Sequence, residues 1–353
     1  MSVSNCPLYA VPVVLAVWAI SCKNAQPPAI PGRFYSGEFL GKSYTIDVVG
    51  DSTDYAAAFD SLLGAVSAAG DLSNPHSVIS RFNAFDRTDS AFAFYDSTGV
   101  FGILFDLTRD YHHQTNGIFD PTLNPIRRAW QERQAKGWNK GEPDLDELFK
   151  YTVFDNAKVD LIEVNKEDGY TYEMSYIRKA DPRIELDFTA LAGAYGMDRI
   201  AAFLDEKSVA QWKITYDRAA MNRGVWADSL TMIPLGITQN EADQKIRLNG
   251  GAFTFCNARD KAQMIDPSYG YPPQSSELIY VAVVAPQMTD AVVFSEAFMV
   301  MGLEDATLWY ERNPESKVES FMLIQRGEEI TNASTLGFDE LLVVPEALTP
   351  PEE

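Results

Sequence analysis

The sequence predicts an α+β fold in which mixed sheets are flanked by helices. Three observations carry that prediction. Stretches of strand-like alternation and of helical periodicity interleave without a regular βαβ rhythm, which argues against a doubly wound sheet. Strand patterns dominate from Val159 onward. Two Asp-Pro turns beside glycine punctuate the chain, one over Asn116 to Thr122 and one over Ile265 to Pro272. Proline locks φ and glycine supplies positive φ, so such turns fix the backbone sharply.

Taken in order, Tyr44 to Val49 alternates as a strand after Gly41. Asp51 to Ala69 reads as a helix with Phe59, Leu62, Leu63 and Val66 on one face and Ser52 or Thr53 as its cap. Phe101 to His112 is a second amphipathic helix through Leu104, Leu107 and Tyr111. Trp130 to Lys150 is polar, with a short helix starting near Pro143-Asp144. Strands follow over Val159 to Val164, Tyr172 to Ile177 and Arg183 to Phe188. Thr189 to Asp205 is a helix with apolar Leu191, Tyr195, Ile200, Phe203 and Leu204. Later strands are predicted over Trp212 to Tyr216, Leu230 to Ile237, Lys245 to Phe255 and Leu278 to Ala285. Helices over Val293 to Met301 and Glu304 to Arg312 precede a last core strand, Phe321 to Gln325.

The chain has 353 residues, 46% of them hydrophobic, enough for one large domain or two packed lobes. Its formal charge of -21 argues against nucleic acid, because no basic face neutralises phosphates. The acidity reads as a solubilised surface. Binding an anionic nucleotide then needs local help, from a metal ion or a helix N-terminus.

Val11 to Ile20 is apolar but too short to span a membrane, and Ala19-Ile20-Ser21-Cys22 supplies small residues before a cysteine. This looks like a bacterial lipoprotein signal over residues 1–21, with Cys22 lipidated, although no Lys or Arg precedes the apolar run. Residues 22–33 read as a proline-stiffened tether, 34–344 as the domain and 345–353 as a disordered acidic tail. The expected location is extracytoplasmic, held on a bacterial membrane by lipid. With Cys6 in the signal and Cys22 lipidated, Cys256 is left alone, so the mature chain has no disulfide framework and no cysteine metal site. His112 and His113, adjacent on a helix, point about 100° apart and make poor joint ligands.

Five fragments share an order: Leu40-Gly41-Lys42-Ser43-Tyr44, Ser80-Arg81-Phe82-Asn83, Gly117 to Thr122, Asp187 to Asp198, and Asp266 to Pro272. Together they resemble the ApbE-type flavin transferases over roughly residues 34–325. The resemblance implies a T-fold-related architecture with a ligand cleft between two lobes. It implies FAD as substrate and magnesium as cofactor. FMN would pass to a Thr or Ser of a membrane redox protein while AMP leaves. It places Gly41, Arg81, Asn83, Asp120, Thr122, Thr189, Gly193, Ala194, Tyr195, Gly250, Gly251 and Gly270 around the cleft, with Asp187 and Asp266 positioning substrate. Asp290 and Glu296 would hold the metal with Ala192, and Ser295 offers a further oxygen. Tyr44, Phe82, Phe119 and Tyr271 are either flavin-stacking rings or core.

The chain also departs from that pattern. Gly193-Ala194 stands where the family has Lys-Gly, Ala219-Ala220 where it has Gly-Gly, and Gln263 where it has His. Gly250-Gly251-Ala252-Phe253-Thr254-Phe255 replaces a segment with Ser and Arg. The family's metal helix carries Asp and Thr four residues apart. Four after Asp290 is Phe294, and counting back from Gly302 puts Val292 and Glu296 at those positions. Asp290 and Glu296 are expected to converge if Asp290 precedes the helix. The competing expectation is a degenerate lipoprotein that binds flavin or another ligand without turnover.

Overall fold

Alternating side chains and positive-φ turns build the main sheet. The structure, a computed structural model, describes residues 32–136, 142–152, 154, 159–163, 174–226, 230–233, 244–261, 263–273 and 277–343. The expected signal segment, Cys22 and the expected tail lie outside the described residues.

Strand β1 (Gly32–Phe39) and β2 (Lys42–Val49) form a hairpin closed by Leu40 (φ 48°) and Gly41 (φ 76°), the positive-φ pair of a tight two-residue turn. Helix α1 (Ala56–Gly70) starts five residues later than its periodicity suggests, because Asp51 and Asp54 accept hydrogen bonds from the amides of Thr53 and Ala56 and hold the lead-in as turns. Helix α2 (Val78–Asn83) is capped by Ser77 and followed by β3 (Phe92–Tyr95). Helix α3 (Val100–Gln114) matches its pattern; α4 (Asn124–Lys136) was hidden by polar composition; α5 (Leu145–Leu148) is capped by Asp144.

Next come β4 (Val159–Glu163) and β5 (Met174–Lys179). Arg183 to Phe188 is not a strand. Its amides are taken elsewhere: Ile184 donates to the Asp181 carbonyl, Leu186 to Asn83 Oδ1 and Asp187 to the Pro121 carbonyl. Helix α6 (Thr189–Glu206) leads into β6 (Gln211–Tyr216), β7 (Ala219–Arg223), β8 (Leu230–Ile233) and β9 (Gln244–Ile246). Strand β10 (Gly251–Asn257) is separated from β9 by the Gly250-Gly251 bend. After α7 (Ala258–Lys261) and β11 (Leu278–Ala285), the two expected helices are one, α8 (Met288–Arg312), broken at Gly302 (φ 80°). Strand β12 (Glu319–Arg326) is followed by β13 (Glu329–Ser334) and α9 (Leu336–Asp339), so the chain does not end its sheet at residue 325.

The strands assemble into an eight-stranded sheet, β1-β2-β6-β7-β10-β11-β12-β13, with sheets β3-β5-β4 and β8-β9 beside it. Every pair is antiparallel, so the fold is α+β without parallel ladders. One face of the large sheet buries α6 and α8 through Leu191, Ile200, Phe294 and Phe298; the other face packs Phe253, Tyr280, Phe321 and Leu323 against Phe338 of α9. A small cluster of Leu123, Ile126 and Ile265 joins α4 to the second Asp-Pro turn. No described helix is long and apolar enough to cross a membrane.

Candidate functional site

A cavity of about 480 Å³ opens where the β1–β2 turn, the first Asp-Pro turn, α4, the start of α6, the β6–β7 turn, β10 and α8 meet. That volume suits a small-molecule ligand. Ion pairs stand around it. Lys42 Nζ meets Asp217 Oδ2 at 3.0 Å, and Arg127 Nη1 meets Asp187 Oδ2 at 2.9 Å. Arg218 pairs with Asp260 and lies over the Phe255 ring, 5.6 Å from its centroid.

Each cation is placed by local structure. Arg127 sits one turn into α4, which begins just after the Asp120 turn. Arg218 occupies the two-residue turn between β6 and β7, where Asp217 has φ 51° and donates its amide to the Ser43 carbonyl. Neither arginine was singled out in the sequence as a site residue. The available signal was a cation set directly beside a motif in an acidic chain.

Glu296 projects from α8 into the cavity and has no hydrogen bond or ion pair among the described residues. Burial pushes its carboxyl upward, and the positive fields of Arg127 and Arg218 work against that rise. Ser295 also lines the cavity, and its hydroxyl donates to the Val292 carbonyl and lies 3.5 Å from the buried Cys256 Sγ. Burial, first, and Glu296, second, push the Cys256 thiol up, which disfavours the thiolate.

The expected metal pair does not converge. Asp290 lies inside the first turn of α8 rather than ahead of it, so six residues of helix separate it from Glu296. That spacing rotates the two side chains about 120° apart and displaces them by about 9 Å. Asp290 instead accepts the Tyr111 hydroxyl at 2.7 Å and does not line the cavity. Val292, at the other candidate position, has no oxygen in its side chain. Ala192 is fully buried in α6, its methyl packed beside Gly70. Among the described residues no three His, Cys, Asp or Glu side chains cluster to hold a metal ion. Asp290, Glu296 and Ala192 therefore do not form the expected cation site.

Of the other expected site residues, Asp187, Thr189, Asp120 and Glu296 line the cavity. Asp187 also accepts the Thr189 amide at 2.9 Å, so it positions the start of α6 as well as Arg127. Asp120 is spent on structure: it accepts the Thr122 amide and hydroxyl and the Phe154 amide. Thr122 is buried behind it.

The remainder fall outside the cavity lining, for identifiable reasons. Gly41 only closes its hairpin, while Leu40 and Lys42 on either side reach the cavity. Arg81 is exposed and stacks over Phe92. Asn83 grips both the amide and the carbonyl of Leu186. Gly193, Ala194 and Tyr195 are buried in α6, one turn past the residues that face the cavity, Thr189 to Leu191. Gly250 donates its amide to Asn222, and a Cβ on Gly251 would meet the Ala285 carbonyl at 2.7 Å. Asp266 closes its own turn on the Ser268 amide and does not line the cavity. Gly270 is packed by Leu145 and Phe149 and accepts the Trp130 indole. Of the four rings considered for stacking, Phe119 alone lines the cavity, Phe82 is core and Tyr271 packs on Trp130.

A family model described as the ApbE family matches residues 40–322. The chain belongs to the ApbE family. An FAD:protein FMN transferase of Haemophilus influenzae is 21% identical over 87% of this chain and 90% of its own length. One of Salmonella typhimurium is 22% identical over 91% of each. Among solved structures, the flavin transferase ApbE from Vibrio cholerae superposes with a TM-score of 0.69 at 18% identity, over 88% of this chain and all of that one. The apo flavinyl transferase ApbE of Pseudomonas stutzeri gives 0.68 at 21%, over 88% and 97%. The shared fold is that of the ApbE transferases, and flavin transfer is the activity named for the family's curated relatives. This ApbE-family chain keeps the scaffold, and ion pairs stand around its cavity.

Proposed function

We propose that this chain binds FAD in the cleft and transfers FMN to a hydroxyl of a partner protein. The observation that carries the reading is the cavity at the start of α6, with Arg127, Arg218 and an unpaired Glu296 facing one space. The acceptor oxygen would form a bond to the FMN phosphorus as the bridging P–O bond of the diphosphate breaks. AMP leaves with the bridging oxygen. Glu296 is the carboxylate free to take the hydroxyl proton. The guanidiniums would offset charge on the phosphoryl oxygens. Magnesium, which the family resemblance implies, would supply electrostatic help to such a reaction; among the described residues no three His, Cys, Asp or Glu side chains cluster to hold it.

The acceptor in this reading is a Thr or Ser of a membrane redox protein, with lipid on Cys22 holding the two together outside the cytoplasm. Release of the chain to the soluble fraction by Cys22→Ser tests the anchor. For the transfer, purified protein is incubated with FAD and an acceptor domain. AMP in stoichiometric step with phosphoester-linked FMN supports the reading, and bound FAD without AMP rejects it.

A second reading, binding without turnover, is favoured by one observation. Asp290 is sequestered on Tyr111 and Val292 offers no replacement oxygen, so the family's metal pair has no counterpart. Retained flavin in the absence of AMP release is its signature.

A further inference from the structure

Two arginines line the cavity, Arg127 on α4 and Arg218 in the β6–β7 turn. Each is fixed by one carboxylate through one nitrogen: Arg127 Nη1 by Asp187, and Arg218 Nη1 by Asp260. Among the described residues neither guanidinium makes another hydrogen bond. A guanidinium carries five N–H donors in a planar fork, so each retains an open edge. Both line the same cavity as Glu296, and their charges work against the rise of its carboxyl.

We propose that Arg127 and Arg218 form a seat for the diphosphate of a dinucleotide that needs no divalent cation. The inference rests on the flavin reading and deepens it. The charge a metal ion would bring is carried by two fixed cations, and the carboxylates that would hold such an ion are dispersed or already paired. Arg–phosphate contacts are bidentate and charge-assisted, so two guanidiniums match two phosphoryl groups. The anionic groups facing the seat are Asp187 and Asp260, which orient it, and Glu296, Asp217 and Asp120, which oppose an anion. That opposition favours a ligand of two or more negative charges that reaches both guanidiniums over a simple anion that reaches one.

The test uses the full-length chain and two probes, inorganic pyrophosphate and FAD, titrated by calorimetry. Each is measured in EDTA and again in magnesium at equal free probe concentration. The seat predicts that pyrophosphate binds in EDTA, with little gain from magnesium. It predicts a loss of about tenfold or more in Arg127→Met and in Arg218→Met. Arg127→Met also releases Asp187, so Arg127→Lys, which keeps the charge, is measured beside it and is expected to retain most of the binding. A requirement for magnesium, no pyrophosphate binding, or wild-type affinity in both Met variants overturns the seat. The EDTA comparison is made on the wild-type protein and stands whether or not a variant folds. Pyrophosphate binding without FAD binding leaves the seat intact and removes the flavin reading. FAD binding only with magnesium does the reverse.

Discussion

The Tyr111 hydroxyl donates to Asp290 Oδ1 at 2.7 Å, joining α3 to the first turn of α8. Burial pushes both groups up, and each is further raised or restrained by the other: the Asp290 charge raises the Tyr111 phenol, while the Tyr111 hydrogen bond holds the carboxyl down. The bond explains why a carboxylate near an expected metal position is structural. Tyr111→Phe removes the donor and leaves Asp290 half-buried without it. We expect a stability loss of about 1–3 kcal/mol, with FAD affinity unchanged. Urea unfolding and a flavin titration on the same variant check this. Unchanged stability with altered flavin binding would return Asp290 to the site.

Gly193 has a second consequence for the cleft. A Cβ there would lie 2.3 Å from the Tyr216 hydroxyl and 2.7 Å from its ring. Tyr216 lines the cavity and donates to the Phe39 carbonyl. The space beside Gly193 is thus filled by the Tyr216 phenol arriving from β6. Gly193→Ala should displace that ring and cost about 1–3 kcal/mol through overpacking. Gly193→Ala with Tyr216→Ala should recover part of the loss relative to the sum of the single changes. A double-mutant cycle by thermal unfolding reads the coupling, and strict additivity would refute the contact.

Lys179 gives the fold a pH signature. It is only 2% exposed, donates to the carbonyls of Phe82, Asn83 and Ile184, and lies over the Phe82 ring. Burial lowers its amine to about 8, against the attraction of Glu185, Asp181 and Asp86. In the unfolded chain the amine titrates near 10.5, so the unfolded state holds the proton more tightly. Stability contributed by this group therefore rises as pH climbs from about 8 towards 10.5, by an amount on the order of 3 kcal/mol across the full interval. Tyrosine ionisation in the unfolded chain opposes this near pH 10, so the quantity to measure is the difference between wild type and Lys179→Met. Between pH 8 and 9.5 the wild-type slope should exceed that of the variant. Equal slopes would mean that the amine is not desolvated.

Much of this architecture was legible because local pattern and tertiary role agreed. Strand β11 (Leu278–Ala285) and helix α3 follow their periodicity almost residue for residue. Arg183 to Phe188 failed because its alternation serves no ladder; Asn83 and the Pro121 carbonyl take its amides from distant segments. Helix α4 was missed because its apolar face is only Ile126 and Trp130 against Leu123 and Ile265, too narrow to stand out among charges. The site was legible at Asp187, Thr189 and Glu296. It was illegible at Arg127 and Arg218, whose meeting depends on folding a helix and a hairpin turn around α8. Asp198 also hid its part: its carboxylate accepts the amides of Met288 and Thr289 and so caps α8, a role set by α6 packing rather than by sequence neighbourhood.

Glu296 separates binding from chemistry. It lines the cavity with no hydrogen bond or ion pair among the described residues, and the charges of Arg127 and Arg218 act on it. In the proposed reaction an acid there would oppose bound phosphate and accept the proton of the attacking hydroxyl. Glu296→Gln keeps the shape, removes the negative charge and abolishes basicity. FAD affinity should hold or increase, because one repulsion is gone. AMP release in the presence of an acceptor should fall by about 100-fold or more, the usual contribution of a general base. Parallel flavin titration and single-turnover AMP assays distinguish the two effects. Unimpaired AMP release would remove Glu296 from the chemistry, whereas weakened FAD binding would show that its carboxylate is itself a ligand contact.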